Sequence, residues 1–337
     1  MRQIAFVAVF LLGVSAGQEA VIRGGVALVD LLVTVRDKKG GLLKDLRESD
    51  FKIFEDGQEQ AIRGFARETN VPLTIGVLVD ISGSVSAKIP EEQLAARKFF
   101  DQVLRPQQDQ AFLISFGRRA VLLQDTTSSV NELQKGLDDL VPDRIVAIPP
   151  SVVNAQFPRS RFPLPIPQTG GRGRGGGRGG GPGGGRGPGL QMGGTVLYDA
   201  VFLASDEVLK PATGRKAIIL LTDGQDQGSR VTLSRALEAA QRSDVIIYSI
   251  QVRSAMGRII EPLNELSTET GGRVFLLDRD LNKIFAEIGD ELRSQYSLSY
   301  VSSNSAKDGA YREIEIRMSE KNNKPQARKG YYAARGE

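Results

Sequence analysis

The chain has 337 residues, 40% hydrophobic and 25% charged, with a formal net charge of +4, which is enough material for one large or two modest domains. It contains no Cys and no His. That excludes Ser-His-Asp and Cys-His nucleophile systems, Cys/His zinc sites and His- or Cys-ligated haem, leaving Asp, Glu, Lys, Tyr, Arg and metal-bound water for chemistry.

The positive charge is local. Between Asp143 and Asp199 there is no acidic residue, while Arg144, Arg159, Arg161, Arg172, Arg174, Arg178 and Arg186 all fall there. The rest of the chain is slightly acidic, so a globally basic nucleic-acid-binding fold is not supported.

Residues 1–16 have the form of a signal peptide: Arg2, an apolar run over 4–14, then the small residues Ser15 and Ala16. The run is shorter than the roughly 20 residues a membrane-spanning helix needs. No second apolar run of that length follows, so the mature chain is expected to have no transmembrane span and to be exported, periplasmic or extracellular. Without Cys its stability rests on packing rather than disulfides.

Residues 20–70 alternate and are rich in turns. Strands are expected over 26–35 and 51–54, with a hairpin turn at Glu55-Asp56-Gly57 and a return strand over 60–66. Three strands are thin for an independent core.

Residues 71–294 read differently. The β-branched run 73–79 predicts a strand buried on both faces, the central type of an α/β sheet. A helix is expected over 89–104, ending before Pro106, then strands over 111–116 and 120–123 and a helix over 130–140. Helices follow at 196–209, 232–243, 263–270 and 280–293, and strands at 217–222, 245–252 and 274–277. The alternation predicts a doubly wound, mostly parallel sheet. Residues 142–194 interrupt it with Pro-rich and then Gly/Arg-rich sequence that cannot bury a core, and a disordered insertion is expected there.

Residues 295–337 alternate again around Tyr296, Leu298, Tyr300, Ile314, Ile316 and Met318. These strands are expected to complete the N-terminal module. The α/β domain would then be inserted in one small β-sandwich built from both chain ends.

The chemistry concentrates at the carboxyl ends of the buried strands, where α/β sheets place their ligands. Asp80-x-Ser82-x-Ser84 follows the first strand, Thr195 opens a helix, and Asp223 ends the strand over 217–222. Carboxylates and hydroxyls are hard oxygen ligands that suit Mg²⁺ or Mn²⁺. The same residue types also cap helices and turns. Asp199 is expected as a first-turn helix residue, Asp226 as a loop residue, and Tyr331 and Tyr332 in the core or at a sandwich edge.

The order Asp80, Ser82, Ser84, Thr195, Asp223 resembles the metal-ion-dependent adhesion site of von Willebrand factor type A domains, over roughly residues 72–293. The flanks at 33–40 (VTVRDKKG), 50–57 (DFKIFEDG), 292–296 (LRSQY) and 328–332 (RKGYY) are similar to the bacterial VWFA-related domain family. The resemblance implies that Ser82, Ser84 and Thr195 bind Mg²⁺ (or Mn²⁺) directly. It further implies that Asp80 and Asp223 orient waters, and that an open position takes an Asp or Glu carboxylate from a protein partner. The expected function is metal-dependent, adhesion-type protein binding without catalysis. The alternatives are binding of a polyanion through the Arg/Gly-rich insertion and metal-dependent ester hydrolysis.

Overall fold

The computed structural model describes residues 22–23, 26–67, 70–143, 194–252, 258–278 and 280–336. The signal segment, and all of the Pro/Gly/Arg-rich insertion but its two ends, lie outside the described residues.

The chain opens with β1 (Ile22–Arg23) and β2 (Val26–Arg36), then β3 (Phe51–Glu55), β4 (Gln58–Gln60) and β5 (Ile62–Arg67). Along β2, Val29, Leu31, Val33 and Val35 are buried in alternation, the period expected when one face of a strand covers a core. The expected return strand over 60–66 divides at Ala61. Gln58–Gln60 pairs with β3, whereas Ile62–Arg67 pairs with β12 (Tyr296–Val301) in another sheet. One non-strand residue is enough to carry the chain from one sheet to the other.

The α/β part follows in order. It comprises β6 (Leu73–Asp80), α1 (Ile89–Val103), β7 (Gln110–Phe116), β8 (Ala120–Thr127) and α2 (Val130–Asp138), then α3 (Leu197–Phe202) and β9 (Arg215–Thr222). It continues with α4 (Leu233–Arg242), β10 (Val245–Gln251), α5 (Glu261–Glu269), β11 (Val274–Leu276) and α6 (Leu281–Arg293). The expected helix over 196–209 changes winding on the way: α3 gives over to a π-helix, Leu203–Leu209.

The six strands lie in the order β11-β10-β9-β6-β7-β8, parallel except for β8, which runs antiparallel to β7. Leu73, Ile75, Val77 and Val79 of β6 pack with Phe99 and Phe100 of α1, Leu133 and Leu137 of α2, and Ile284, Phe285 and Ile288 of α6. Phe99 and Phe285 stack at 4.8 Å, and each fully buried large side chain of this kind contributes about 1.5–3 kcal/mol. The other strand positions, Leu78, Ile218 and Leu220 among them, are equally buried. A strand covered on both faces is why this part reads as continuous apolar runs.

The two chain ends meet as expected. Strand β12 lies between β2 and β5, with Tyr296 opposite Val33 and Leu298 opposite Leu31. In a second sheet β13 (Tyr311–Met318) lies between β3 and β15 (Gly330–Tyr332), and β14 (Lys324–Gln326) adds to β2. A single core, including Val29, Leu31, Ile53, Tyr296, Tyr300, Ile314 and Tyr331, draws on both sheets and both ends. At its centre the Glu55 carboxylate accepts hydrogen bonds from Tyr300 (2.7 Å), Ser302 (2.5 Å) and Tyr331 (3.1 Å). Arg328 fastens this module to the α/β part by pairing with Asp244 and donating to the Asp30 carbonyl at 2.8 Å.

Candidate functional site

Strand β6 sits between β9 and β7, so its carboxyl end lies in the middle of the sheet rim. Asp80 ends it with no exposed surface. Its Oδ1 accepts the Ser82 N–H at 2.9 Å, which turns the backbone and raises Ser82 and Ser84 onto the rim. The two serine hydroxyls lie 3.0 Å apart, Ser82 half-buried and Ser84 exposed.

Asp223 reaches the same rim because β9 is in register with β6. Val79 stands opposite Leu221, so Asp80 lies beside Thr222, whose hydroxyl donates to Asp80 Oδ2 at 2.7 Å. The same Thr222 oxygen accepts the Gly224 N–H at 2.9 Å. Gly224 has φ of +81°, and a Cβ there would strike Ile260. A larger residue could not make this turn, and just beyond it the Gln225 N–H donates to Asp223 Oδ1 at 3.2 Å.

Thr195 arrives by a different route. Asp80 pairs with Phe116 across β6 and β7, and the next carbonyl, of Gly117, accepts the Val196 N–H at 2.8 Å. The Thr195 carbonyl accepts from Gln227 (3.0 Å) and Gly228 (3.1 Å) in the loop after Asp223. The backbones are close enough that a Cβ on Gly228 would lie 2.4 Å from the Gly194 oxygen. Thr195 therefore stands on the same rim, between the end of β7 and the Asp223 loop. Thus Asp80, Ser82 and Ser84 are joined by direct contacts, Asp223 follows Thr222, which touches Asp80, and Thr195 is anchored through its backbone.

Several residues of this site carried no clear signal in the sequence. Thr222 read only as the last residue of a strand. Asp226 and Asp199 cross-brace the loop and α3. The Asp226 carboxylate accepts from Tyr198 N–H (3.3 Å) and Ser229 Oγ (2.5 Å), while Asp199 accepts from Arg230 N–H (2.8 Å) and Val231 N–H (3.0 Å). Glu92, on the first turn of α1, is 1% exposed, and neither of its oxygens has a hydrogen-bond partner.

The electrostatics of the rim are one-sided. Burial raises the Asp80 carboxyl above the ordinary aspartate range and the Asp223 charge adds to it; hydrogen bonds from Ser82 and Thr222 only partly offset this. Burial, reinforced by the Asp80 charge, pushes Glu92 up to about 8. Among the described residues no Lys or Arg forms an ion pair with Asp80, Asp223 or Glu92. Buried carboxylates are ordinarily paired or bound to metal.

A rim of hydroxyls over uncompensated carboxylates fits a hard divalent cation, which would supply the missing positive charge. It is not a carboxylate cage. Among the described residues no group of three or more His, Cys, Asp or Glu side chains gathers to hold a metal.

Residues 189–289 match the family model of the von Willebrand factor type A domain. That segment contains Thr195 and Asp223, and the pairing of β9 with β6 brings the Asp80 loop to them. Among curated proteins nothing matches.

Among solved structures, the chain is similar to proximal thread matrix protein 1 from the mussel byssus, at 17% identity over 71% of this chain and 51% of that one, with a TM-score of 0.48. A form of that protein with a zinc occupied MIDAS motif matches at 16% identity, over 72% and 50% of the two chains, with a TM-score of 0.46. An aerotolerance-related membrane protein from Bacteroides fragilis NCTC 9343 matches at 16% identity, over 65% and 98%, with a TM-score of 0.42. The chain spans about half the length of the mussel structures. The family model covers residues 189–289 of the 337, the part of the α/β sheet that runs from Thr195 through β9, β10 and β11 into α6.

Proposed function

We propose that the chain is an exported, metal-dependent protein-binding module of the adhesion type, with no catalytic role. In this reading Asp80, Ser82, Ser84, Thr195 and Asp223 hold Mg²⁺ or Mn²⁺ at the sheet rim. Residues 1–16 direct export to the periplasm or beyond, residues 71–294 form the binding domain, and residues 20–70 and 295–337 form the module that carries it.

The observation that carries this reading is the pairing of the Ser82 and Ser84 hydroxyls, 3.0 Å apart on the open rim, above the fully buried Asp80. Neutral oxygen donors leave a bound cation most of its charge, so it supplies an electrophilic position for one carboxylate oxygen of a partner. The chain's own residues do the rest. Thr222 and the Ser82 N–H hold Asp80 in place, the Gln225 N–H holds Asp223, and the Gln227 and Gly228 amides fix Thr195.

Calorimetry with MgCl₂ and MnCl₂ tests the reading. The intact chain should take up a divalent ion, and Asp80→Ala and Asp223→Ala should lose it with the fold retained. Immobilised poly-glutamate should retain the loaded chain and release it on addition of EDTA. Absence of Mg²⁺ and Mn²⁺ uptake by the intact chain would overturn it.

A second reading rests on the seven arginines between Asp143 and Asp199: that segment attracts polyanions. If so, deleting residues 170–189, which removes four of the seven, should weaken heparin retention at low salt while leaving metal uptake unchanged.

A further inference from the structure

We propose that Glu92 is a further residue of the divalent-cation site, a positioning residue that acts through Asp80 and the serine loop rather than as a direct ligand. This rests on the reading of the rim as a metal site.

The argument begins with where Glu92 sits. Helix α1 buries Ile89, Glu92, Ala96 and Phe99, positions spaced by three or four residues that form one face of a helix. Glu92 thus occupies a place in the apolar stripe where Leu would complete the packing. Its neighbour Glu91 behaves as a surface acid should, pairing with Lys88 at 2.8 Å. Glu92 does not. Both its oxygens are buried without a partner, so it caps nothing and joins no ion pair among the described residues.

A buried carboxyl without hydrogen bonds destabilises the fold that contains it. Such a residue makes sense where something outside the polypeptide completes it. Helix α1 starts at Ile89, five residues after Ser84, and its buried stripe packs on β6, so a first-turn residue of that stripe lies at the carboxyl-end side of the strand that finishes in Asp80; the Asp80 charge is accordingly among those that act on it. Glu92 does not join Asp80 and Asp223 in a cage of ligands; it is a buried carboxyl behind them, and a divalent cation at the rim would offset the negative charge that burial and Asp80 set against its ionisation. Groups just outside a metal's ligands commonly alter its affinity by about 10–100-fold, and that is the scale set for Glu92.

The test compares the intact chain with Glu92→Gln, which keeps the shape, and Glu92→Leu, which fills the stripe. Metal affinity is read by calorimetry with MgCl₂ and MnCl₂, and stability by thermal melting in EDTA. The expected result is a loss of affinity of about tenfold or more in both variants, with Glu92→Leu melting in EDTA at or above the temperature of the intact chain. Loss of affinity and gain of stability together are what a purely structural residue cannot produce.

Metal affinity equal to that of the intact chain in both variants would overturn the proposal and leave the metal site standing. Should Glu92→Leu fail to fold, Glu92→Gln decides by itself. No metal uptake by the intact chain removes the underlying reading and Glu92's role with it.

Discussion

Thr222 donates its hydroxyl to Oδ2 of Asp80 across 2.7 Å, from the strand beside it, in the buried floor of the rim. One side chain thereby joins the strand that ends in Asp223 to the loop that carries Ser82 and Ser84. Thr222→Val keeps the shape and removes the hydroxyl. It leaves Asp80 with one donor fewer and the Gly224 N–H without its acceptor, so the expected loss of stability is about 1–3 kcal/mol. Thr222→Ser, which keeps the oxygen, should lose much less. Urea denaturation in EDTA measures both, and calorimetry with MgCl₂ should show weaker binding for Val alone.

Stability in EDTA should fall as pH rises from about 4.5 to 8. Glu92 is raised from 4.5 to about 8 in the folded protein by burial and by the Asp80 charge. Between those values the folded state keeps a proton that the unfolded chain has released. The stabilisation is therefore complete below the unfolded pKa and is lost on the way up to the folded one, at no more than about 1.4 kcal/mol per pH unit. Asp80, also raised by burial, adds in the same direction at the acid end. Urea midpoints measured from pH 4.5 to 8.5 should show the decline in the intact chain and a flatter profile in Glu92→Gln. An unchanged slope in that variant would show that Glu92 is not the group responsible.

What could be read from the sequence follows from burial. Leu73–Asp80 is buried at every position, so it appears as an unbroken β-branched run, and the acid and serines after it stand out by contrast. Alternation over 296–300 and 29–35 records one-sided burial and showed that both chain ends are sandwich strands.

The division after Gln60 was not legible, because which sheet a strand joins depends on a partner more than two hundred residues away. Strands β14 and β15 are three residues each and include Pro325 and Gly330, too short and too irregular to alternate. Thr222 acquires its role only through the register of β9 on β6. Glu92 did leave a trace: it falls at a helical spacing otherwise filled by Ile89, Ala96 and Phe99. Its neighbour Glu91 hides that trace, because acids are common in the first turn of a helix.

The β-sandwich should depend on Glu55 more than on any single apolar residue. Its carboxylate accepts hydroxyls from Tyr300, Ser302 and Tyr331, two from the strand and turn at β12 and one from β15. Glu55→Ala leaves all three donors in the core without a partner. With hydrogen bonds to a charged group worth about 1.5–3 kcal/mol each, a loss of roughly 3 kcal/mol or more is expected. Glu55→Gln retains acceptor oxygen for part of the cluster and should lose less. Urea denaturation separates the two, and metal uptake at the distant rim should be unchanged in any variant that remains folded.

Asp226 should control the site without touching it. Helix α3 begins after Val196, which has no side-chain oxygen to cap it; the Asp226 carboxylate, from the loop after β9, accepts the Tyr198 N–H instead. The same carboxylate holds Ser229 Oγ at 2.5 Å. Asp199 returns the brace through Arg230 and Val231. Thr195 lies between the two anchored segments, so its placement depends on the brace. Asp226→Ala should therefore lower stability by about 1–2 kcal/mol, as the loss of a helix cap does, and should also weaken Mg²⁺ binding. The Ser229 hydroxyl donates to Asp226 and also accepts the Asp199 N–H at 3.1 Å; since the two side chains share one hydrogen bond, Ser229→Ala combined with Asp226→Ala should destabilise less than the sum of the two alone. Calorimetry of the four proteins in the cycle checks this. Additive stability effects, or unchanged metal affinity in Asp226→Ala, would show that the loop holds Thr195 by its backbone amides alone.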